Sequence, residues 1–291
     1  MFERPGWMRL VASGVAVSLV AACGGGGGGG GGNESASESG GQQAQQAFPV
    51  DQASAGNIGG SVSFEGTPPE AEAIDMSSAS ECQPEGQPMT QHVLVNDNGT
   101  LRNVFVHVVS GPIDDLSFPT PADSVEIDQQ GCRYHPHVMG IQTGQTLAIK
   151  NADGFLHNIN AKPQKNRGFN ISQPVSMTSA RTFSVPEVMI PVNCDVHSWM
   201  NAYIGVQSNP YFDVTGNDGS FELDRLPPGQ YVVEAWHEKY GTLQDTVTVA
   251  TGQTAQADFT FNASMAENAR VPLGEPLIVH HGGRAELAAA E

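Results

Sequence analysis

Along most of this 291-residue chain the apolar positions alternate or fall in short runs, and turn-forming residues separate the runs every eight to twelve positions. Residues 60–64, 92–95 and 101–109 are predicted strands, and the partial alternation in 101–109 implies one buried face. Further strand-like runs follow at 124–128, 147–151, 169–171, 181–185, 188–192 and 202–206. Residues 212–223 form a hairpin in sequence, because Asn217-Asp218-Gly219 offers positive-φ positions between two alternating runs. Leu226-Pro227-Pro228-Gly229 is the next turn, and runs through 230–235, 246–249 and 257–261 complete the set. No stretch holds the helical period long enough to predict a helix. The pattern is that of an all-β protein made of sandwiches or barrels.

The N-terminal part breaks this pattern. Residues 10–22 are a thirteen-residue, mainly apolar run behind Arg4 and Arg9, too short to cross a bilayer as a helix. The run ends Val20-Ala21-Ala22-Cys23, which resembles the lipobox of bacterial lipoproteins. The resemblance implies a signal peptide over 1–22 and lipidation of Cys23; an ordinary secretory signal is the plainer alternative. Gly24 after Cys23 points, by analogy with lipoprotein sorting, to the outer membrane of the cell envelope, facing periplasm or exterior. Residues 23–56 run from Cys23 into nine glycines, 24–32, and continue rich in Ser, Glu, Gln and Ala, which reads as a flexible tether with a reach of roughly 30 Å.

Charge narrows the partners. The formal net charge is −18, and without residues 1–22 the chain keeps 11 basic against 30 acidic residues, or −19. Such a surface has no basic face for phosphates, so nucleic-acid binding is excluded, whereas a basic protein partner would be attracted.

The candidate chemistry is concentrated in Cys194-Asp195-Val196-His197-Ser198-Trp199-Met200, between the apolar runs 188–192 and 202–206. A thiolate, an imidazole and a thioether spaced three residues apart are donors that suit copper cycling between Cu(I) and Cu(II). A second imidazole must come from elsewhere, and His157 stands in Phe155-Leu156-His157-Asn158-Ile159-Asn160.

Gly144-Gln145-Thr146, the strand 147–151, Asp153, His157-Asn158 and the later Cys-x-x-His-x-x-Met together resemble the cupredoxins, the small blue copper proteins, with the short ligand loop of the amicyanin-like members. The likeness covers about 87 residues, 122–208. It implies one type 1 copper held by His157, Cys194 and His197 with Met200 as weak axial ligand. It further implies that Asn158 ties the two ligand loops together, and that His197 is the ligand nearest the surface and the electron exit. Four ligands would leave no open coordination position, so electron transport rather than enzyme activity is expected. The partner would be a redox protein such as a c-type cytochrome or a periplasmic oxidoreductase.

A second resemblance lies downstream. Thr215-Gly216-Asn217-Asp218-Gly219-Ser220-Phe221 followed by Leu226-Pro227-Pro228-Gly229-Gln230-Tyr231 resembles the carboxypeptidase regulatory-like domains, small seven-stranded sandwiches. The opening expected for that family is absent before Tyr211 but present far upstream at 60–69 and 104–108. The expected fold class is therefore all-β: a cupredoxin-like Greek-key β-sandwich plus a second small transthyretin- or carboxypeptidase-regulatory-like β-sandwich. Residues 57–110 plus 209–262 would form the latter, 111–208 the copper domain and 263–291 a tail. The alternative is one copper domain over 57–208 with a short appended sandwich. With Cys23 lipidated and Cys194 on copper, Cys82 and Cys132 remain. In an exported chain they are expected as a disulfide, worth roughly 4 kcal/mol by loop-closure entropy; two free buried thiols are the alternative.

Other polar residues have bland readings. His107 on a strand, the pair His135 and His137 around Pro136, and His237 beside Glu238 could each touch metal, but none has a partner motif, and a structural role is expected. The basic stretch 162–167 reads as a solvated loop or a docking spot, and His280-His281 carries no specific signal. Two other functions use the same sequence. One is a periplasmic copper chaperone or storage protein; the other is a non-redox surface binding module resting on the second sandwich alone.

Overall fold

A computed structural model describes residues 48–82, 86–268 and 277–278. The segment expected as a signal peptide, Cys23, most of the expected tether and His280-His281 lie outside the described residues.

Four sheets pack as two sandwiches. In the first, β1 (Gly56–Glu65) runs antiparallel to a strand at Ser220–Leu226 and parallel to strands at Thr254–Gln256 and Phe259–Asn262. Facing this sheet, β2 (Phe105–Ser110) lies between strands at Phe212–Val214 and Gly229–His237, and the latter pairs along its whole length with a strand at Gly241–Val249. Leu277–Ile278 adds a short parallel edge. Inward positions such as Ile58, Val62, Val106, Tyr231, Val233 and Phe261 fill the space between.

The strands of the second sandwich all come from the intervening chain. One sheet contains β3 (Val125–Gln129), β4 (Tyr134–His135), β6 (Leu147–Asn151) and β9 (Met177–Arg181), in the order β4-β3-β6-β9. The other contains β5 (Val138–Gln142), β7 (His157–Ala161), β8 (Phe169–Gln173), β10 (Glu187–Asn193) and β11 (Asn201–Gln207), in the order β5-β11-β10-β7-β8. Ile127, Leu147, Ile149, Ile159, Ile190, Val192 and Ile204 are fully buried between them. In chain order the remaining strands are β12 (Phe212–Val214), β13 (Ser220–Leu226), β14 (Gly229–His237), β15 (Gly241–Val249), β16 (Thr254–Gln256), β17 (Phe259–Asn262) and β18 (Leu277–Ile278).

The sandwiches meet where two glycines remove side chains from the seam. A Cβ on Gly140 of β5 would lie 2.3 Å from the Phe212 ring, and one on Gly205 of β11 would lie 2.5 Å from the Phe105 ring. Beside them the Tyr203 and Trp236 rings are 5.0 Å apart.

Several expectations shift. Phe48 and Val50, read as tether, pack into the first core, with the Phe48 ring 5.5 Å from that of Phe118. Met265 and Ala266, read as tail, also pack there, within the one-turn helix Met265–Asn268. Residues 92–95 form no strand: the chain turns back at once, with a single bridge from Val95 to Leu101. The strand predicted from 101 begins only at Phe105, because Asn103 takes φ 59° and breaks the extended run.

Candidate metal centre

The second ligand loop is closed by its own backbone. Asn193 of β10 pairs with Asn201 of β11, and between them Cys194 N–H donates to Met200 O (3.1 Å) and Met200 N–H to His197 O (3.0 Å). These bonds fold seven residues into a tight loop. His157 reaches the same place from the start of β7, whose Ala161 and Asn160 pair with Val192 and Asn193 of β10. The candidate ligand atoms of His157, Cys194 and His197 all lie within 4.8 Å of one another. The two Nδ1 atoms are 3.0 Å apart, and Cys194 Sγ is 3.8 Å from His197 Nδ1. His157, Cys194, His197 and Met200 are 0%, 3%, 1% and 1% exposed. Cys194 is the free cysteine among the described residues.

The electrostatics favour a charged pair. Burial alone would push the Cys194 thiol up, but hydrogen bonding to His157 and to the backbone around Asn158, His197 and Val196 outweighs it, and the net shift is downward. Burial likewise pulls His157 down, yet Cys194 and Asp153 outweigh it and the net shift is upward. His197 goes the other way: burial and the neighbouring His157 lower it. Asp153 Oδ2 accepts from His157 Nε2 at 2.8 Å. In the neutral imidazole that bond fixes the one proton on Nε2 and leaves the Nδ1 lone pair facing the centre. Two imidazole nitrogens and one sulfur, converging in a buried space, are a donor set that fits a soft or borderline cation.

Asn158 Oδ1 accepts from Asp195 N–H (2.7 Å) and lies 3.4 Å from Cys194 Sγ, so this side chain spans the two loops. Sequence reasoning missed what surrounds it. The side chains of Asn158, Asn160 and Asn170 all donate to the Asp195 carboxylate, at 3.0, 3.0 and 2.7 Å, and hold it below its usual range, Asn160 and Asn170 foremost. The available signal was Asn-x-Asn on one strand, which puts two amides on the same face.

One expectation for the ligands is corrected: His197 is not at the surface. The chain between β1 and β2 crosses over it, with Ile74, Met76, Ala79 and Cys82 buried in the same core as Cys194 and Met200. Cys82 is bonded to Cys132, with the Cα atoms 5.7 Å apart. Glu81 Oε1 stands 3.7 Å from His197 Nε2, a buried atom without a hydrogen bond.

Among the described residues, the remaining histidines fall in no cluster that could hold a metal. His107 is buried, its Nε2 3.2 Å from Glu234. His135 is exposed. His137 Nε2 meets Glu238 Oε1 at 2.5 Å, and His92 Nδ1 meets Glu238 Oε2 at 2.9 Å, so a buried carboxylate joins the two sandwiches. Burial would raise the Glu238 pKa, but these two histidines outweigh it and hold it down to about 2. In the basic stretch, the amides of Gln164, Lys165 and Asn166 clasp Glu187, and the loop is ordered around that carboxylate.

Residues 201–262 match the family of carboxypeptidase regulatory-like domains. Among solved structures, the chain is similar to a copper-containing nitrite reductase from Thermus scotoductus SA-01 (20% identity, 34% of this chain and 25% of that one, TM-score 0.28). It is similar also to an oxidized mutant of amicyanin (14%, 35% and 98%, 0.27) and to a purple cupredoxin from Nitrosopumilus maritimus (20%, 29% and 100%, 0.25). The chain spans a quarter of the nitrite reductase's length. No curated protein matches it.

Proposed function

We propose that this chain is a type 1 copper protein that carries single electrons between redox proteins of the cell envelope, a basic c-type cytochrome or periplasmic oxidoreductase being the partner its acidity fits. Cys23, by its lipobox-like context, would anchor it to the outer membrane. The observation that carries this reading is the convergence of His157, Cys194 and His197 within 4.8 Å, closed off from solvent on loops that two paired strands hold in place. Copper bound there would supply one-electron chemistry. His157 offers Nδ1 because Asp153 holds its other nitrogen, and Cys194 is biased to the thiolate by its neighbours. His197 and Met200 are fixed by the closed loop. Sheets on both sides resist rearrangement, which keeps the barrier to electron exchange low.

The near-complete burial of all four residues favours a carrier over a chaperone, since handing a metal to an acceptor needs an accessible ligand. The test is the visible and paramagnetic-resonance spectrum of the Cu(II)-loaded chain. An intense thiolate-to-copper band, lost in Cys194→Ser, is expected. A colourless copper adduct of the wild type would overturn the proposal.

A further inference from the structure

Both histidines of the centre have a carboxylate beside the nitrogen that points away from it. Asp153 Oδ2 is 2.8 Å from His157 Nε2, and Glu81 Oε1 is 3.7 Å from His197 Nε2. The carboxylates sit on segments more than seventy positions apart, yet one covalent bond links them. Gly131 and Cys132 donate their amides to Asp153 at 2.7 and 2.9 Å, and Cys132 is bonded to Cys82, the residue after Glu81. Cys132 O also accepts from Trp199 Nε1 at 3.1 Å, inside the Cys194–Met200 loop.

The backbone at Cys132 is unusual in the same direction. Gly131 and Cys132 take φ 60° and 53°, making the left-handed two-residue turn between β3 and β4. A side-chain-bearing residue there costs about 1 kcal/mol or more, and such strain persists where the surroundings over-determine it. Here the turn aims two successive amides at one carboxylate. On the other side, Ala79 N–H to Met76 O and Cys82 N–H to Ala79 O, both 3.0 Å, coil the strap that carries Glu81.

We infer that the Cys82–Cys132 disulfide is a positioning device of the metal centre. It holds Glu81 against the outer nitrogen of His197 and steadies Asp153 against that of His157. Asp153 by its hydrogen bond and Glu81 by its charge at ion-pair distance favour imidazoles that present Nδ1 inward and raise their basicity, and together they favour Cu(II) over Cu(I). The inference rests on the copper reading above.

The experiment measures the reduction potential of the copper-loaded full chain by titrating the visible band. It compares wild type, Glu81→Gln, Asp153→Asn, the pair Cys82→Ser with Cys132→Ser, and that pair combined with Glu81→Gln. Each carboxylate variant is expected to shift the relative affinity toward Cu(I), by up to ~10-fold for Asp153→Asn, which is about 59 mV, and less for the more exposed Glu81. The disulfide-free pair is expected to shift the same way, and adding Glu81→Gln to it should change the ratio less than twofold further. A Glu81→Gln shift of equal size with and without the disulfide overturns the inference, as does an unmoved potential in both carboxylate variants. Should Asp153→Asn fold poorly, the Glu81 cycle decides alone, because that side chain is partly exposed. If wild type shows no Cys194-dependent band, the copper reading falls and the inference with it; a normal band with unmoved potentials sinks the inference only.

Discussion

His237 shows how one side chain sets a pH window. It is fully buried, stacked on Tyr240 at 4.8 Å, with Nδ1 accepting from Lys239 N–H at 3.1 Å. Burial drags its pKa down to about 4, from an unfolded value near 6.5. A depressed histidine is neutral in the fold while the unfolded chain takes up the proton. Stability is therefore complete above about pH 6.5 and declines toward pH 4, by about 3 kcal/mol at most. Glu238, next in sequence, acts in a different window: its depressed value keeps its contribution until the pH falls below about 4.3 toward 2. Denaturant midpoints measured from pH 7 to 4 should fall in wild type and fall less in His237→Asn; equal slopes would discard this account. Sequence placed the two side by side as an imidazole near a carboxylate. It could not show that the strand end turns them to opposite sides, His237 toward Phe261 and Glu238 toward histidines 101 and 146 positions away.

At the scale of elements, what was local was legible. The Cys194–Met200 spacing is a property of one loop between two strands, and the Asn-Asp-Gly turn before β13 declared itself in the same way. His157 was reachable because it heads a strand with a recognisable approach. The strap over His197 was not legible, since it depends on which chain segment the second sandwich leaves uncovered and on a bond to Cys132, 50 positions on. Nor did alternation reveal why Gly140 and Gly205 interrupt otherwise strong strands. Their role appears only when Phe212 and Phe105 press on them from the other sandwich. Gly140→Val is expected to cost about 1–3 kcal/mol by overpacking this seam. Gly216→Ala, with open space where its Cβ would lie, should stay within about 0.5 kcal/mol. Equal effects in thermal melts would remove the seam from the explanation.

For the whole molecule, the pairing of Phe212 with His107 makes β2 and β12 neighbours although the entire second sandwich lies between them in sequence. Ligand binding to one sandwich is then expected to be felt by the other. Copper at a thousand times its dissociation constant would stabilise the native state by about 4 kcal/mol. The expected sign is slower hydrogen exchange not only in β10 and β11 but also in β14, which carries none of the candidate ligands. Protection confined to the metal loops would mean that the halves open independently.

The parallel pairing of β1 with β17 has a consequence for biosynthesis. Val62 of β1 finds its partner Phe259 only after 197 further positions have been made. At about 5–20 residues per second, that is on the order of 10 to 40 s on the ribosome. One edge of β1 can close early, since Val62 and Phe64 bond to Leu101 and Gly99, but the opposite edge stays open until β16 and β17 are made, an adhesive edge that a holding chaperone would have to cover.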